Sequence, residues 1–170
     1  VSNVKEFDKA INEGFLFDTK IIIEKFIEDK REIECAVLGN SNPIASVCGE
    51  VITQSKHKFY SYEAKYIDEK GAKLEIPARI SKSLQKKIQN LAIKTFKTLE
   101  LEGMARVDFF IDKNGKIYVN EVNTIPGFTN ISMYPALWKV SGLSYTKLID
   151  ELVRLAIERF NREQKLKTSF

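Results

Sequence analysis

Residues 104–124 form a candidate β-hairpin, which constrains the fold more than any other part of the chain. Two stretches rich in β-branched and aromatic residues are joined at Asn114-Gly115, a dipeptide typical of tight hairpin turns. If these residues form a two-residue type I′ turn, Lys113 pairs with Lys116 and the register outward is fixed. The sequence therefore predicts an antiparallel pair of strands in the second half of the chain.

With this register, two carboxylates face each other across the hairpin. The predicted partners are Asp108 and Glu121, Arg106 and Asn123, and Phe110 and Val119. Side chains alternate across a strand, so these residues share one face. The other face is mostly apolar and carries Val107, Phe109, Ile111, Val122, Asn120 and Tyr118. One face suits a hydrophobic core, and the other suits chemistry.

The polar face of the hairpin predicts a divalent-metal site. Two facing carboxylates repel each other unless a cation lies between them, and Mg²⁺ prefers hard oxygen ligands. Asn123 adds a neutral oxygen, and Arg106 adds a permanent positive charge, so the set suits Mg²⁺-bound phosphate and developing negative charge. Two alternatives stay open. The face could be a solvated polar edge with incidental ion pairs, or a three-residue turn with a bulge could separate Asp108 from Glu121.

Composition excludes several classes of protein. The 170 residues carry a net charge of +4 that is spread along the chain, with no basic block beyond short pairs such as Lys86-Lys87, so no nucleic-acid partner is expected. No apolar run approaches the roughly 18 residues of a membrane span, and no signal peptide is visible. Cys35 and Cys48 lie in apolar, strand-like runs and are expected to be buried, reduced thiols of a cytosolic protein, which could be neighbours across two strands.

The hydrophobic pattern predicts an α+β fold with an antiparallel sheet. Helices are expected over residues 3–13, 81–99, 135–140 and from Ser144 onward, and strands over 20–27, 32–38 and 44–52 besides the hairpin. Residues 53–72 lack periodicity, and a loop this long is usually functional. His57 lies in this loop and is expected to be solvated. Because Val1 is not an initiator methionine and opens directly onto an amphipathic segment, the chain is expected to be a piece of a longer protein.

The residues after the hairpin resemble a known family. The run Asn120-Glu-Val-Asn-Thr-Ile-Pro-Gly-Phe-Thr129 with Ser132-Met133, preceded by Arg106-Val-Asp108, is similar to the C-terminal signature of D-alanine–D-alanine ligases of the ATP-grasp superfamily. The likeness continues through residues 32–39, 59–66, 76–78 and 141–144, so it covers nearly the whole chain in order. It implies that residues 1–170 form the C-terminal half of an ATP-grasp fold, with residues 53–72 as a mobile active-site loop.

The resemblance implies an ATP-dependent ligase that joins two D-alanines through an acyl phosphate for peptidoglycan precursor synthesis. The alternatives are a D-alanine–D-lactate or D-alanine–D-serine ligase, or a module that binds Mg-nucleotide without turnover. In the family, an N-terminal domain and a Ser/Gly-rich phosphate loop precede the point where this chain begins, so the chain alone is expected to be inactive. The parent enzyme is expected to be a cytoplasmic homodimer that contacts neither nucleic acid nor membrane.

The resemblance also assigns site residues. Adenine is expected against Glu24, Lys25, Phe26 and Ile27, with Phe59 and Asn120 also on the nucleotide. Glu32 matches the residue that binds the ribose hydroxyls, and Glu34 is an alternative. Lys65 and Tyr66 match the mobile loop over the transferring phosphate, and their presence favours D-alanine as second substrate. Arg106 and Gly127 are implied to contact the oxyanion, and Ser132 with the backbone of Met133 is implied to bind the substrate. Asp108, Glu121 and Asn123 are implied to bind two Mg²⁺ or Mn²⁺ ions.

Overall fold

The computed structural model describes residues 1–53, 72–129 and 131–167. In these residues the strands are β1 (Arg31–Gly39), β2 (Ile44–Thr53), β3 (Ala72–Glu75), β4 (Gly103–Ile111) and β5 (Ile117–Asn123), and the helices are α1 (Val4–Gly14), α2 (Lys82–Thr98), α3 (Met133–Val140) and α4 (Tyr145–Glu163). The strands form one sheet in the order β3-β2-β1-β4-β5, and every neighbouring pair is antiparallel. The predicted α+β class is confirmed.

The predicted starts of α1, α2 and α4 are confirmed by their capping residues, whereas α3 begins at Met133, before the predicted start at residue 135. Asn3, Ser81 and Ser144 each accept a hydrogen bond, through the side-chain oxygen, from a backbone N–H three residues further on. Such a bond satisfies one of the orphan donors at a helix N-terminus. None of the helices in the described part of the chain is long and apolar enough to cross a membrane.

The two faces of the sheet are covered differently. One face, here called the α2 face, packs its apolar side chains against α2 and forms a core of Ile33, Cys35, Val37, Cys48, Ile88, Ala92, Phe96, Ala105, Val107, Phe109 and Ile111. On the other face, here called the site face, α3 and α4 cover one end, with Ala36, Leu38, Val51, Tyr134, Leu137, Trp138, Leu148 and Leu155 buried there. The end of the site face where Glu34 and Asp108 lie opposite each other carries charged side chains instead.

The predicted strand over residues 20–27 is wrong. These residues have no regular secondary structure, and Ile22 and Ile23 are 82% and 66% exposed. Their β-branched side chains favour an extended backbone, but a strand also needs a free neighbour. Both sides of β1, which follows directly, are taken by β2 and β4, so the segment stays outside the sheet. On α4, Leu148 and Leu155 are buried, whereas Ile149 and Ile157 are 42% and 55% exposed.

Candidate active site

The turn between β4 and β5 has three residues, so the predicted type I′ turn is wrong. Asp112 N–H donates to Lys116 O at 3.1 Å, and Gly115 N–H donates to Asp112 O at 2.9 Å. Gly115 has a φ of +78°, but Asn114 does not have the positive φ that a type I′ turn requires. The Asp112 carboxylate stabilises this three-residue turn, because its Oδ1 accepts from the backbone N–H groups of Asn114 at 2.9 Å and Lys116 at 3.0 Å.

A bulge in β5 restores the register that matters for the site. Next to the turn Phe110 faces Tyr118, not Val119 as predicted, but the register shifts by one residue between Asp108 and Phe109. Asn120 is the extra residue on β5. Beyond it Asp108 lies opposite Glu121, as predicted, and the expected pairing of the Arg106 and Asn123 positions is also confirmed. The three-residue turn therefore does not separate the two carboxylates.

The sequence contains a signal for this bulge that the alternation argument missed. The apolar residues of β5 that pack against the α2-face core are Ile117 and Val122, and Val119 lies opposite core residue Phe109. Spacings of two and then three residues break the period of a regular strand. The break falls at Asn120-Glu121, where the extra residue lies. The prediction that Asn120 and Tyr118 share the core face is accordingly wrong.

The polar side chains meet around the guanidinium group of Arg106. Arg106 Nε and Nη2 each donate to one oxygen of Asp108, both at 2.8 Å. Arg106 Nε also lies 2.9 Å from Oε2 of Glu34, which is opposite Asp108 on β1. Asn123 Nδ2 donates to Asp108 Oδ2 at 3.0 Å and to Glu121 Oε1 at 3.4 Å. The predicted metal ligands and the predicted oxyanion partner thus form one cluster.

Burial and crowding of like charges shift the pKa values in this cluster. Burial raises the pKa of Asp108, and the facing charge of Glu121 adds to this, so that the pKa lies above the usual aspartate value in spite of Arg106. Burial acts to lower the pKa of Arg106, but its hydrogen bonds to Asp108 and the charges of Glu34, Asp108 and Glu121 outweigh burial and raise it. The single positive charge of Arg106 therefore lies among more carboxylates than it can neutralise.

The cluster fits a divalent ion that takes part of its coordination from a bound ligand. Within the described ranges, no group of three or more His, Cys, Asp or Glu side chains is arranged to hold a metal ion. Asp108 and Glu121 supply two carboxylates, and Asn123 would supply an oxygen after a half-turn of its amide, whose nitrogen now faces the carboxylates. A cation between Asp108 and Glu121 would relieve the repulsion that helps to raise the Asp108 pKa. Mg²⁺ commonly binds through one or two carboxylates plus water and phosphate oxygens.

Phe26, one of the residues expected around adenine, lies beside the charged end of the site face. Phe26 is 58% exposed, and the Lys30 Nζ lies over its ring at 5.0 Å and over the Phe110 ring at 4.1 Å. Lys30 Nζ also lies 3.6 Å from Glu32 Oε1, and Glu32 faces Phe110 in the register of β1 and β4. Lys30 thus connects Phe26 to Glu32. The sequence analysis missed it, since Lys30 resembles any solvated lysine in a charged turn.

The loop after β5 places Gly127, the predicted oxyanion donor, next to Ser132, a predicted substrate residue. A Cβ atom on Gly127 would lie 3.1 Å from Ser132 Oγ, so the Gly127 backbone and this hydroxyl are neighbours. Ser132 is the N-cap residue of α3, but its hydroxyl makes no capping bond and instead accepts from Thr129 N–H at 2.9 Å. The side chain of Met133 is buried under α3, which leaves its backbone as the part suited to a ligand.

The other expected site residues lie either outside the described residues or away from regular secondary structure. Phe59, Lys65 and Tyr66 fall within residues 54–71, which lie outside the described residues, and so does His57. Glu24, Lys25 and Ile27 lie in the irregular segment before β1, and Asn120 is exposed at the bulge.

Comparisons with known proteins agree with this architecture. The antiparallel sheet covered by helices has the architecture of the C-terminal part of an ATP-grasp domain, and a solved structure with this fold superposes with a TM-score of 0.84. The chain belongs to the family described as "D-ala D-ala ligase C-terminus", whose model matches residues 1–154.

Individual relatives carry related names. The chain is 56% identical over 164 residues to D-alanine–D-alanine ligase of Shouchella clausii, with 96% of this chain and 44% of the relative covered. The solved ligase of Coxiella burnetii is 46% identical and covers 97% of this chain, with 42% of its own chain matched. The VanG D-Ala:D-Ser ligase of Enterococcus faecalis is 38% identical at a TM-score of 0.78, with 90% of this chain and 43% of its own covered. The chain therefore spans less than half the length of these relatives.

Proposed function

We propose that this chain is the C-terminal portion of an ATP-dependent ligase that joins two D-alanines for peptidoglycan precursor synthesis. The observation that supports this best is the cluster of Asp108, Glu121 and Asn123 around Arg106, on the open end of a sheet whose fold is that of the ligase family. In the proposed reaction the γ-phosphoryl group of ATP passes to the carboxylate of the first D-alanine. The amine of the second D-alanine then attacks the acyl phosphate, and phosphate leaves.

The cluster has a chemical role for each of its groups. Asp108, Glu121 and Asn123 would hold one or two Mg²⁺ or Mn²⁺ ions, and the ions when bound would neutralise phosphate oxygens of ATP. Arg106 supplies a fixed positive charge, held among acids and only 15% exposed in its side chain, to the oxyanion that forms when the second amine attacks. A backbone N–H at Gly127 is a second donor to that oxyanion.

We also propose positions for ATP and for the second D-alanine. ATP would lie with adenine near Phe26 and with its ribose at Glu32, and Lys65 and Tyr66 would close over the phosphates. The carboxylate of the second D-alanine would bind at Ser132 and the Met133 backbone. The relative from Bacillus anthracis was solved with ATP, at 27% identity and a TM-score of 0.79, which supports ATP as the nucleotide.

We infer that the 170 residues alone do not catalyse ligation, because the chain spans 44% of the Shouchella clausii ligase. Residual nucleotide affinity is expected to be weak. The complete protein is proposed to act as a cytoplasmic homodimer, and dipeptide formation by the 170-residue chain would contradict the inference of incompleteness.

The test of the proposed function is an Asp108→Asn substitution in the complete ligase. Because the substitution removes a metal-ligating charge but keeps the shape, ADP release with D-alanine should fall by more than about 100-fold. Asp112→Asn is the matched control, since Asp112 lies on the same hairpin but at its exposed turn. A complete protein that releases no ADP with D-alanine would refute the proposal.

The second candidate function is a D-alanine–D-serine ligase, which the similarity to VanG supports. The higher identities to D-alanine–D-alanine ligases favour D-alanine. Competition among D-alanine, D-serine and D-lactate in the complete enzyme distinguishes these substrates, and a product that contains mainly D-alanyl-D-serine would select the second candidate.

A further inference from the structure

Arg106 contacts two acids, and one of them is also a proposed metal ligand. Its Nε and Nη2 hydrogens are directed at the two oxygens of Asp108, whereas Glu34 Oε2 lies 2.9 Å from Nε. The Nε hydrogen is thus used by Asp108, so the contact with Glu34 is electrostatic in this arrangement. Glu34 is 6% exposed and Asp108 is 7% exposed, so both charges act through little solvent.

The pairing with Asp108 cannot persist unchanged when a metal ion binds. Both carboxylate oxygens of Asp108 are occupied by Arg106, and a further bond comes from Asn123. A cation bound to Asp108 shares the carboxylate charge and repels the guanidinium group, so it weakens the pairing of Asp108 with Arg106. Arg106 is then held less firmly by Asp108 at the moment when its position is needed for catalysis.

We propose that Glu34 is a positioning residue that keeps Arg106 in place when Asp108 binds the metal ion. This inference rests on the proposed function of the cluster. It also assigns the two acids of β1 to different tasks, because Glu34 faces Asp108 and contacts Arg106, while Glu32 faces Phe110 and contacts Lys30. The alternative that Glu34 binds the ribose hydroxyls is thereby replaced.

The backbone around Glu34 suits an anchor. Glu34 lies on the central strand β1 and is paired in register with Gly49 of β2 and Asp108 of β4. Its main chain is therefore held from both sides and does not depend on metal binding. A buried charge that loses its partner is strongly unfavourable, so Glu34 and Arg106 are expected to stay together.

The first experiment follows Arg106 directly in the 170-residue chain, by the ¹⁵N NMR signal of its Nε–Hε group with and without Mg²⁺, which is added together with saturating ATP because phosphate oxygens complete its coordination. In the wild-type chain the signal should stay protected from exchange with water in both conditions. In Glu34→Gln it should be protected without Mg²⁺, through Asp108, and lost when Mg²⁺ is added. A Glu34→Gln signal that persists in Mg²⁺, or a wild-type signal that Mg²⁺ abolishes, would overturn the proposal.

A matched control comes from Glu50, the second buried glutamate in an arginine pair. Glu50 is 8% exposed and accepts from Arg31 Nε at 2.7 Å and Nη2 at 2.6 Å, but it lies opposite Ile33 and therefore on the α2 face. Glu50→Gln removes the charge of a buried glutamate from an arginine pair away from the site, in which the Arg31 side chain is 41% exposed. It should lower the melting temperature and leave the Arg106 signal unchanged in Mg²⁺.

The second experiment uses steady-state kinetics of the complete ligase. Glu34→Gln should lower kcat by about 10- to 100-fold while the KM for ATP changes by less than about twofold, and Glu34→Asp should recover part of the loss. Glu50→Gln should leave kcat unchanged. An increase in the KM for ATP with unchanged kcat would assign Glu34 to the ribose, and equal losses in both variants would show a merely structural role. If the wild type releases no ADP, the proposed function fails, but the NMR result still decides the role of Glu34.

Discussion

Asp112 determines the conformation of the hairpin turn through several hydrogen bonds. Besides the backbone N–H groups of Asn114 and Lys116, its carboxylate accepts from the Tyr118 hydroxyl at 3.1 Å. The hydrogen bond from the Lys116 backbone is the largest cause, and together these bonds lower the pKa of Asp112 below the usual aspartate value. A carboxylate that is preferred in the folded state makes stability depend on pH.

The first prediction concerns Asp112→Asn and its dependence on pH. Because the folded-state pKa is lowered, the charged group stabilises the fold above the unfolded-state pKa of about 3.9, and this contribution is lost as the pH falls through the folded-state value. Urea unfolding should therefore show the wild type more stable than Asp112→Asn at pH 7, with the difference shrinking below about pH 4. Asp112→Ala should be less stable than Asp112→Asn throughout. A difference that is independent of pH would contradict the assignment.

At the level of single residues, the sequence allowed the positions of site residues to be predicted where these residues are close together in the chain. Alternation within each strand sufficed to pair Arg106 with Asp108 on β4 and Glu121 with Asn123 on β5. The facing of the two pairs was predicted correctly only because the three-residue turn and the bulge at Asn120 compensate each other. The partnership of Arg106 with Glu34 could not be predicted, because the two residues are distant in sequence and meet only through the pairing of β1 with β4.

The strand β5 shows how one residue can change the face that a whole segment presents. Asn120 is the extra residue of the bulge, and deleting it would give regular alternation in which Glu121 still faces Asp108 and Val122 still faces Val107. The deletion of Val119 would instead place Asn120 opposite core residue Phe109, at the position that Val119 now occupies with 46% exposure.

The second prediction compares these two deletions. The variant without Asn120 should keep its free energy of unfolding within about 1 kcal/mol of the wild type, because a regular ladder replaces the bulge. The variant without Val119 should lose about 1 kcal/mol more, because an amide replaces the partly exposed apolar side chain that lies opposite core residue Phe109. Urea denaturation measures both, and equal losses would indicate that the bulge itself stabilises the sheet.

At the level of elements, sequence reasoning succeeded where one signal sufficed. Capping residues marked the starts of α1, α2 and α4, and the strands predicted over residues 32–38 and 44–52 correspond to β1 and β2. It failed for residues 20–27, where composition indicated a strand but the sheet has no free side next to β1. Strand pairing depends on the whole sheet, so the sequence of one segment does not show whether a partner strand is available.

The molecule as a whole has a compact part and an N-terminal part that is barely packed on it. Helix α1 has no buried residue, and the segment that follows exposes Phe15, Leu16 and Phe17 by 53%, 81% and 84%. The two hydrophobic cores are built entirely from residues after position 30. The stability of the described fold should therefore depend little on the first 27 residues.

The third prediction is that a chain without residues 1–27 stays folded. Loss of the Lys30–Phe26 contact should cost no more than about 1 kcal/mol in urea unfolding. Binding of an apolar fluorescent dye such as ANS should fall, because the exposed side chains of Phe15, Leu16, Phe17, Ile22, Ile23 and Phe26 are removed. Unfolding of the shortened chain, or undiminished dye binding, would contradict this description.

The two cysteines can report local unfolding at the centre of the sheet. Cys35 and Cys48 are direct partners across β1 and β2, fully buried under α2, and the neighbouring Cys48 thiol together with burial raises the pKa of Cys35. Thiolate is the reactive form, so an alkylating reagent can reach these sulfurs only when strands and helix separate. The rate of labelling therefore measures how often the centre of the sheet is exposed, without any engineered probe.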